Sequence, residues 1–170
     1  MMKRELTLTD IAGYLPHGLK AIQYNIKHPA TVFEMHYHPI EEDQRVVCGI
    51  SNVFELSEIR PVLRPIPDLY VQITERGYND GKPFVPLVEF AKVRYPYLTS
   101  RRFITDTKYV ECAENDSSGW GKWKMYELEL ESMSVDELDL LHRLHLDYRD
   151  LIGAGLAVSV HDLPTNPYER

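Results

Sequence analysis

Residues 19–37, LKAIQYNIKHPATVFEMHY, carry the pattern that decides the expected fold class. Apolar and polar residues alternate on both sides of His28-Pro29, and this is the period of strands with one buried face. The alternating apolar residues are Ile22, Tyr24 and Ile26 in the first run, then Phe33, Met35 and Tyr37 in the second. Because His28-Pro29 is a plausible turn, the two runs predict a hairpin of antiparallel strands.

Further strand-forming segments extend this sheet along the chain. Residues 44–50 and 53–56 supply more strand material. The prolines within 61–67 favour an extended or turning path, because proline fixes φ and disfavours helix in the residue before it. Residues 156–160 predict a short strand that returns to the sheet.

A second hairpin is expected later in the chain. Residues 107–113 and 122–130 form its arms, since apolar and charged residues alternate in 126–130. Residues 115–119, NDSSG, have the composition of a turn.

Four short helices complete the expected fold. The first three cover residues 8–15, 68–76 and 86–95. The strongest signal is the capping box of Ser134 and Glu137, which begins a helix over 134–152. Its apolar face consists of Leu138, Leu141, Leu144, Tyr148, Leu151 and Ile152. We therefore expect an α+β fold, with a small, mainly antiparallel sheet (N-terminal hairpins plus a C-terminal strand) covered by three to four short helices.

Composition indicates one cytoplasmic domain over residues 1–170. The chain has 44% hydrophobic and 26% charged residues, which is ordinary for a folded domain of 170 residues. Its apolar runs are far shorter than the roughly 20 residues of a membrane span, and no signal peptide is visible at the start. A net charge of −7 makes nucleic acid an unlikely partner, because that affinity comes from clustered Lys and Arg.

One strand face carries residues that could hold a metal. Glu34, His36 and His38 are spaced two apart, so on a strand they project from the same face. Two imidazoles and a carboxylate can bind a divalent ion, and His142 is a candidate for the further ligand. The alternative is that this is the polar, solvent-facing side of the strand, and we expect no cofactor.

Other candidate residues have structural interpretations. His145 falls within the apolar stripe of the last helix, so we interpret it as a partly buried histidine with a hydrogen-bond partner. Its pairing with Asp147 is excluded if the helix persists, because two residues turn the helix by about 200°. Cys48 and Cys112 are expected to be small buried hydrophobic residues. Two lysines beside Trp120 and Trp123 are too few for a single-strand binding site.

An acidic run near the C-terminus is either a solvated surface or a face for a basic partner. The chain has no Lys or Arg between Lys124 and Arg143. The members of the run are Glu127, Glu129, Glu131, Asp136, Glu137 and Asp139.

Three sets of short motifs occur along the chain: YLPHGL at 14–19, PVLRPIPDL at 61–69, and HLD, LI and GLA within 145–157. Together they resemble motifs of a group of Bacteroides-type proteins often encoded in prophage or other mobile-element regions. His17 and Pro67 depart from the group's pattern, and residues 97–131 lie outside the resemblance. The resemblance implies a common fold over most of the chain, but the group has no established activity.

Two classes of function follow from these observations. We expect a non-catalytic accessory protein of phage or mobile-element origin that binds another protein, since no Walker loop, dinucleotide fingerprint, nucleophile elbow or zincin motif is present in the sequence. The alternative is a small metal-dependent enzyme that uses Glu34, His36 and His38. Self-association is left open by the sequence.

Overall fold

The computed structural model describes residues 4–23, 32–37, 45–48, 52–114 and 122–169. Their contacts divide the chain into two compact units. Unit 1 consists of residues 1–65 and 145–167, and unit 2 consists of residues 66–144 and 168–170. The chain therefore returns to unit 1 after building most of unit 2. The expectation of one domain stays a prediction, because this division describes contacts and not folding.

Unit 1 is built on a six-stranded sheet. Its strands are β1 (Lys20–Gln23), β2 (Val32–Tyr37), β3 (Arg45–Cys48), β4 (Asn52–Glu55), β5 (Ile59–Leu63) and β9 (Val158–Ser159). Their order across the sheet is β4-β3-β2-β1-β5-β9. A short helix, α1 (Leu8–Ile11), precedes the sheet. The antiparallel pairing of the predicted hairpin is confirmed, since β1 and β2 pair with Ala21 opposite Phe33. Its predicted turn at His28-Pro29 lies outside the described residues.

The one parallel pair of named strands in the described chain joins β5 to β9. Val62 lies opposite Val158, and Leu63 lies opposite Ser159. The predicted return of the C-terminal strand to the sheet is thus confirmed. All five residues of β5 are buried, as expected for a strand with a neighbour on each side and both faces covered.

Unit 2 has a sheet of its own. Strands β6 (Ser100–Ile104), β7 (Tyr109–Ala113) and β8 (Lys122–Met125) pair antiparallel in that order. Helix α2 (Pro86–Arg94) packs against β6, β7 and helix α3 (Val135–Arg143). Val110, Cys112 and Met125 of this sheet are buried. The chain therefore has two sheets where a single sheet was expected, although it is α+β and mainly antiparallel as predicted.

The second hairpin is confirmed in its central part. Val110 lies opposite Met125, and Cys112 lies opposite Trp123. Residues 126–130 do not continue the strand, and the predicted turn at 115–119 lies outside the described residues. Strand β6 was not predicted, because SRRFI does not alternate apolar and polar residues.

Three helix predictions are wrong in part. The first helix, expected over 8–15, ends at Ile11, and a separate 3-10 helix, Leu15–His17, follows. Residues 68–76 form only the end of a short 3-10 helix, Ile66–Tyr70, after which Ile73 makes an isolated antiparallel bridge with Phe84. The last helix begins at the predicted capping box but ends at Arg143, nine residues early. Leu146 instead forms a parallel bridge with Arg64. Leu146 and Leu151 are therefore buried without helix, whereas Tyr148 and Ile152 are only partly buried.

No helix of the described residues has the length and apolar composition that a membrane span requires.

Candidate functional site

A buried polar junction in unit 1 joins residues that are far apart in sequence. The Arg64 backbone N–H donates to the His145 carbonyl at 2.8 Å, and the Asp147 N–H donates to the Arg64 carbonyl at 2.8 Å. The Tyr14 hydroxyl donates to the Leu146 carbonyl at 2.7 Å. The first, second and third motif sets each contribute to this junction. These residues are therefore part of the structural centre of unit 1.

His145 lies within this junction as a neutral imidazole. Its side chain is buried, and Nε2 donates to the His17 carbonyl at 3.1 Å. Burial, and next the positive charge of Arg64, lower the pKa of His145 to about 3. The predicted role as a buried, hydrogen-bonded histidine is confirmed, although the residue lies beyond the helix and not within it.

Asp147 is a backbone cap. Its two carboxylate oxygens accept from the N–H groups of Leu151 and Ile152 at 2.9 and 2.7 Å. The helical geometry used to exclude a pair with His145 does not apply, because α3 ends at Arg143. Both oxygens of Asp147 nevertheless hold the turn that follows, which gives this carboxylate a structural role.

The candidate metal face on β2 brings two of its predicted members together. Glu34 Oε1 lies 3.6 Å from His36 Nε2, and both side chains are substantially exposed. The Lys20 ammonium forms a salt bridge with the other oxygen of Glu34. An ammonium at this carboxylate competes with any cation that the pair could bind.

The two other predicted ligands are His38 and His142. His38 lies outside the described residues. His142 is a half-buried residue of α3 in unit 2, whereas Glu34 and His36 belong to unit 1. Among the described residues, no group of three or more His, Cys, Asp or Glu side chains is arranged to hold a metal ion.

The residues 126–139, here called the acidic segment, present most of the predicted partner-binding residues to solvent. Five of the six are exposed: Glu127, Glu129, Glu131, Asp136 and Asp139. Glu137 is only 3% exposed, and its carboxylate accepts from the Ser134 N–H at 2.9 Å and from Arg94 Nε at 2.6 Å. Although burial opposes it, this bonding lowers the pKa of Glu137. Glu137 therefore anchors α3 and is unavailable to a partner.

The acidic segment also exposes apolar side chains, which the sequence reasoning missed. All seven large hydrophobic residues exposed in the described chain belong to unit 2. Four of them lie in the acidic segment: Tyr126, Leu130, Val135 and Leu138. Leu138 was assigned to the buried face of the last helix, but it is 36% exposed. A helical wheel centred on the buried Leu140, Leu141 and Leu144 would have placed Leu138 at the margin.

The remaining candidates from the sequence are the two cysteines and the two tryptophans. Cys112 is a buried residue of β7, as predicted, and burial raises the pKa of its thiol. The side chain of Cys48 and all of Trp120 lie outside the description. Trp123 is on strand β8, and its ring meets that of Tyr97 edge to face at 6.2 Å.

Comparison with protein-family models, with curated proteins and with solved structures found no match to this chain.

Proposed function

We propose that this chain is a non-catalytic binding protein that recognises another protein through the acidic segment. The observation that carries this proposal is the combination of four exposed apolar side chains with five exposed carboxylates within fourteen residues. Contiguous exposed apolar surface with a polar rim is typical of protein interaction sites. The carboxylates favour a partner with a basic surface.

The resemblance of the three motif sets supports a role as a phage or mobile-element accessory protein in the cytoplasm. Motif residues such as Tyr14, Arg64 and His145 meet in the interior of unit 1. The acidic segment contains none of these motifs, and its first six residues, 126–131, belong to the stretch 97–131 that lies outside the resemblance. A common structural centre with a separate recognition segment fits an accessory protein whose partner varies.

Charge reversal tests the proposal. A variant with Glu127→Lys, Glu129→Lys and Glu131→Lys should lose the proteins that the wild type captures from a host lysate by cross-linking, because its local charge repels a basic partner. The matched control carries Asp106→Lys, Glu114→Lys and Asp162→Lys, three exposed carboxylates outside the segment. An identical set of captured proteins in both variants contradicts the proposal, provided that thermal melts show both are folded.

A small metal-dependent enzyme is the second candidate, favoured by the 3.6 Å approach of Glu34 and His36. If this face binds a divalent ion, zinc or manganese should raise the melting temperature, since a ligand of the native state stabilises it. The effect should weaken in acid, because metal ligation requires neutral imidazole. We expect no shift, because Lys20 already neutralises Glu34. A shift that disappears in both His36→Ala and His38→Ala would make the enzyme the leading hypothesis.

A further inference from the structure

We propose that the partner presents an amphipathic α-helix with a basic side, and that this helix packs along the outward face of α3. The inference rests on the proposed function and adds to it the chemistry and the shape of the partner.

One face of helix α3 is buried, and another is exposed to solvent. Glu137, Leu140 and Leu141 are buried, whereas Val135 is 83% exposed and Leu138 is 36% exposed. Since each residue advances a helix by about 100°, Val135 and Leu138 project within about 60° of each other. They form a short apolar stripe in which Val135 lies opposite the buried residues and Leu138 lies at the margin of the buried face.

Carboxylates accompany this stripe. Asp136 and Asp139 are exposed residues of the same helix, and Glu129 and Glu131 precede it. Leu130, in the 3-10 turn before α3, adds a further apolar side chain that is 49% exposed. Exposed apolar side chains and carboxylates thus occur together on α3 and on the 3-10 turn before it.

The geometry favours a helix as the partner element. The backbone N–H and C=O groups within a helix bond to each other, so α3 offers its partner side chains and not an open strand edge. Apolar residues three apart match the spacing of anchors on a second helix. Nine residues span about 13.5 Å, which allows only a few turns of contact and a weak, transient complex.

The charge favours a basic partner over a second copy of this chain. Two α3 helices packed through these faces would bring Asp136 and Asp139 of one copy towards the carboxylates of the other. Like charges placed together at an interface oppose association. Lysine and arginine side chains on a partner helix would instead pair with the same carboxylates and make binding weaken with salt.

A designed probe tests this inference without knowledge of the natural partner. The probe is a labelled Lys-Leu peptide of roughly 18 residues, five helical turns, whose leucines form one stripe. Its control is a scrambled peptide of the same composition without a stripe. Fluorescence anisotropy should show roughly tenfold tighter binding of the striped peptide to the wild-type chain. Equal binding of the two peptides, or no binding of the striped one, would overturn the inference.

Variants that leave the net charge unchanged test whether the peptide binds at α3. Val135→Ser with Leu138→Gln should weaken binding of the striped peptide roughly tenfold, since it removes apolar contact and leaves the carboxylates in place. Val71→Ser, which alters an exposed valine elsewhere in unit 2, should leave the affinity unchanged. Equal losses in the two variants would overturn the assignment to α3.

Two further outcomes separate this inference from the proposed function. If the Val135→Ser, Leu138→Gln variant keeps the natural partners that the charge-reversal variant loses, the helix inference fails and the proposed function stands. If sedimentation shows a wild-type dimer that the same double substitution dissociates, the face belongs to a second copy and the inference is overturned.

Discussion

His145 has a left-handed backbone conformation, with φ of +56°, directly after the last residues of the α3 turn. Such a conformation is uncommon for a residue with a side chain, and it persists where surrounding contacts impose it. Two hydrogen bonds impose it here. The His145 carbonyl accepts from the Arg64 N–H, and His145 Nε2 donates to the His17 carbonyl. One residue therefore redirects the chain and places an uncharged imidazole among basic groups.

Stability should decrease as pH falls through the upper acidic range because of this residue. The pKa of His145 is lowered to about 3 in the folded chain, against an ordinary value of 6.5. Between these values the unfolded chain binds a proton that the folded chain does not, so acid favours unfolding. Urea denaturation should show a loss of about 1–2 kcal/mol between pH 6.5 and pH 5.

His145→Asn is the variant that isolates this effect. Asparagine tolerates the left-handed conformation, and its amide carries no charge at either pH. The variant should be less stable at pH 7 because the ring is lost, but its stability should change little between pH 6.5 and 5. The groups that face the imidazole, Arg64, His17 and Lys20, are the same in both proteins. A slope equal to that of the wild type would assign the pH dependence to other residues.

At the scale of elements, the start of α3 was predictable and its end was not. Its start depends on local bonds, because Ser134 Oγ accepts from the Glu137 N–H at 3.2 Å and Glu137 accepts in return. Its end depends on the bridge between Leu146 and Arg64, residues far apart in sequence. The apolar pattern of Tyr148, Leu151 and Ile152 satisfies a helix and a buried turn equally well.

In the candidate site too, some features follow from the local sequence and others depend on residues far apart in the chain. The acidic run was visible as charge without an intervening base, so its exposure could be expected. The loss of Glu137 from that surface could not, since it requires Arg94 of another helix to approach at 2.6 Å. The outward position of Leu138 depends likewise on where α3 packs.

Ser134→Ala should lower the free energy of unfolding by roughly 0.5–2 kcal/mol, the usual cost of removing an N-cap side chain. Denaturant melts at pH 7 measure this change. Ser134→Asp is the matched control, because it keeps an oxygen that can accept from the Glu137 N–H. If the alanine variant has the wild-type midpoint, the cap contributes nothing to α3.

At the scale of the molecule, the prediction of one domain requires that the two units unfold together. Both tryptophans, Trp120 and Trp123, lie within the chain stretch of unit 2. Their fluorescence therefore reports on that unit, while substitutions in unit 1 perturb the other.

Ile59→Ala provides the test. Ile59 is fully buried in β5 of unit 1, and removing its side chain should cost roughly 2–5 kcal/mol. In one cooperative domain, the midpoint of tryptophan fluorescence in urea should move by the same amount as the midpoint of circular dichroism. A fluorescence midpoint that does not move would mean that the units unfold separately.

The pairing of β5 with β9 also bears on how the chain is made. A ribosome completes β5 about 95 residues before it reaches Val158. At translation rates of about 5–20 residues per second, the edge of β5 that pairs with β9 remains unpaired for roughly 5–20 s. An unpaired strand edge, here in a strand that is apolar except for Arg60, can join another nascent chain during that time. The yield of this protein on synthesis should therefore depend on temperature and chaperones more strongly than its final stability suggests.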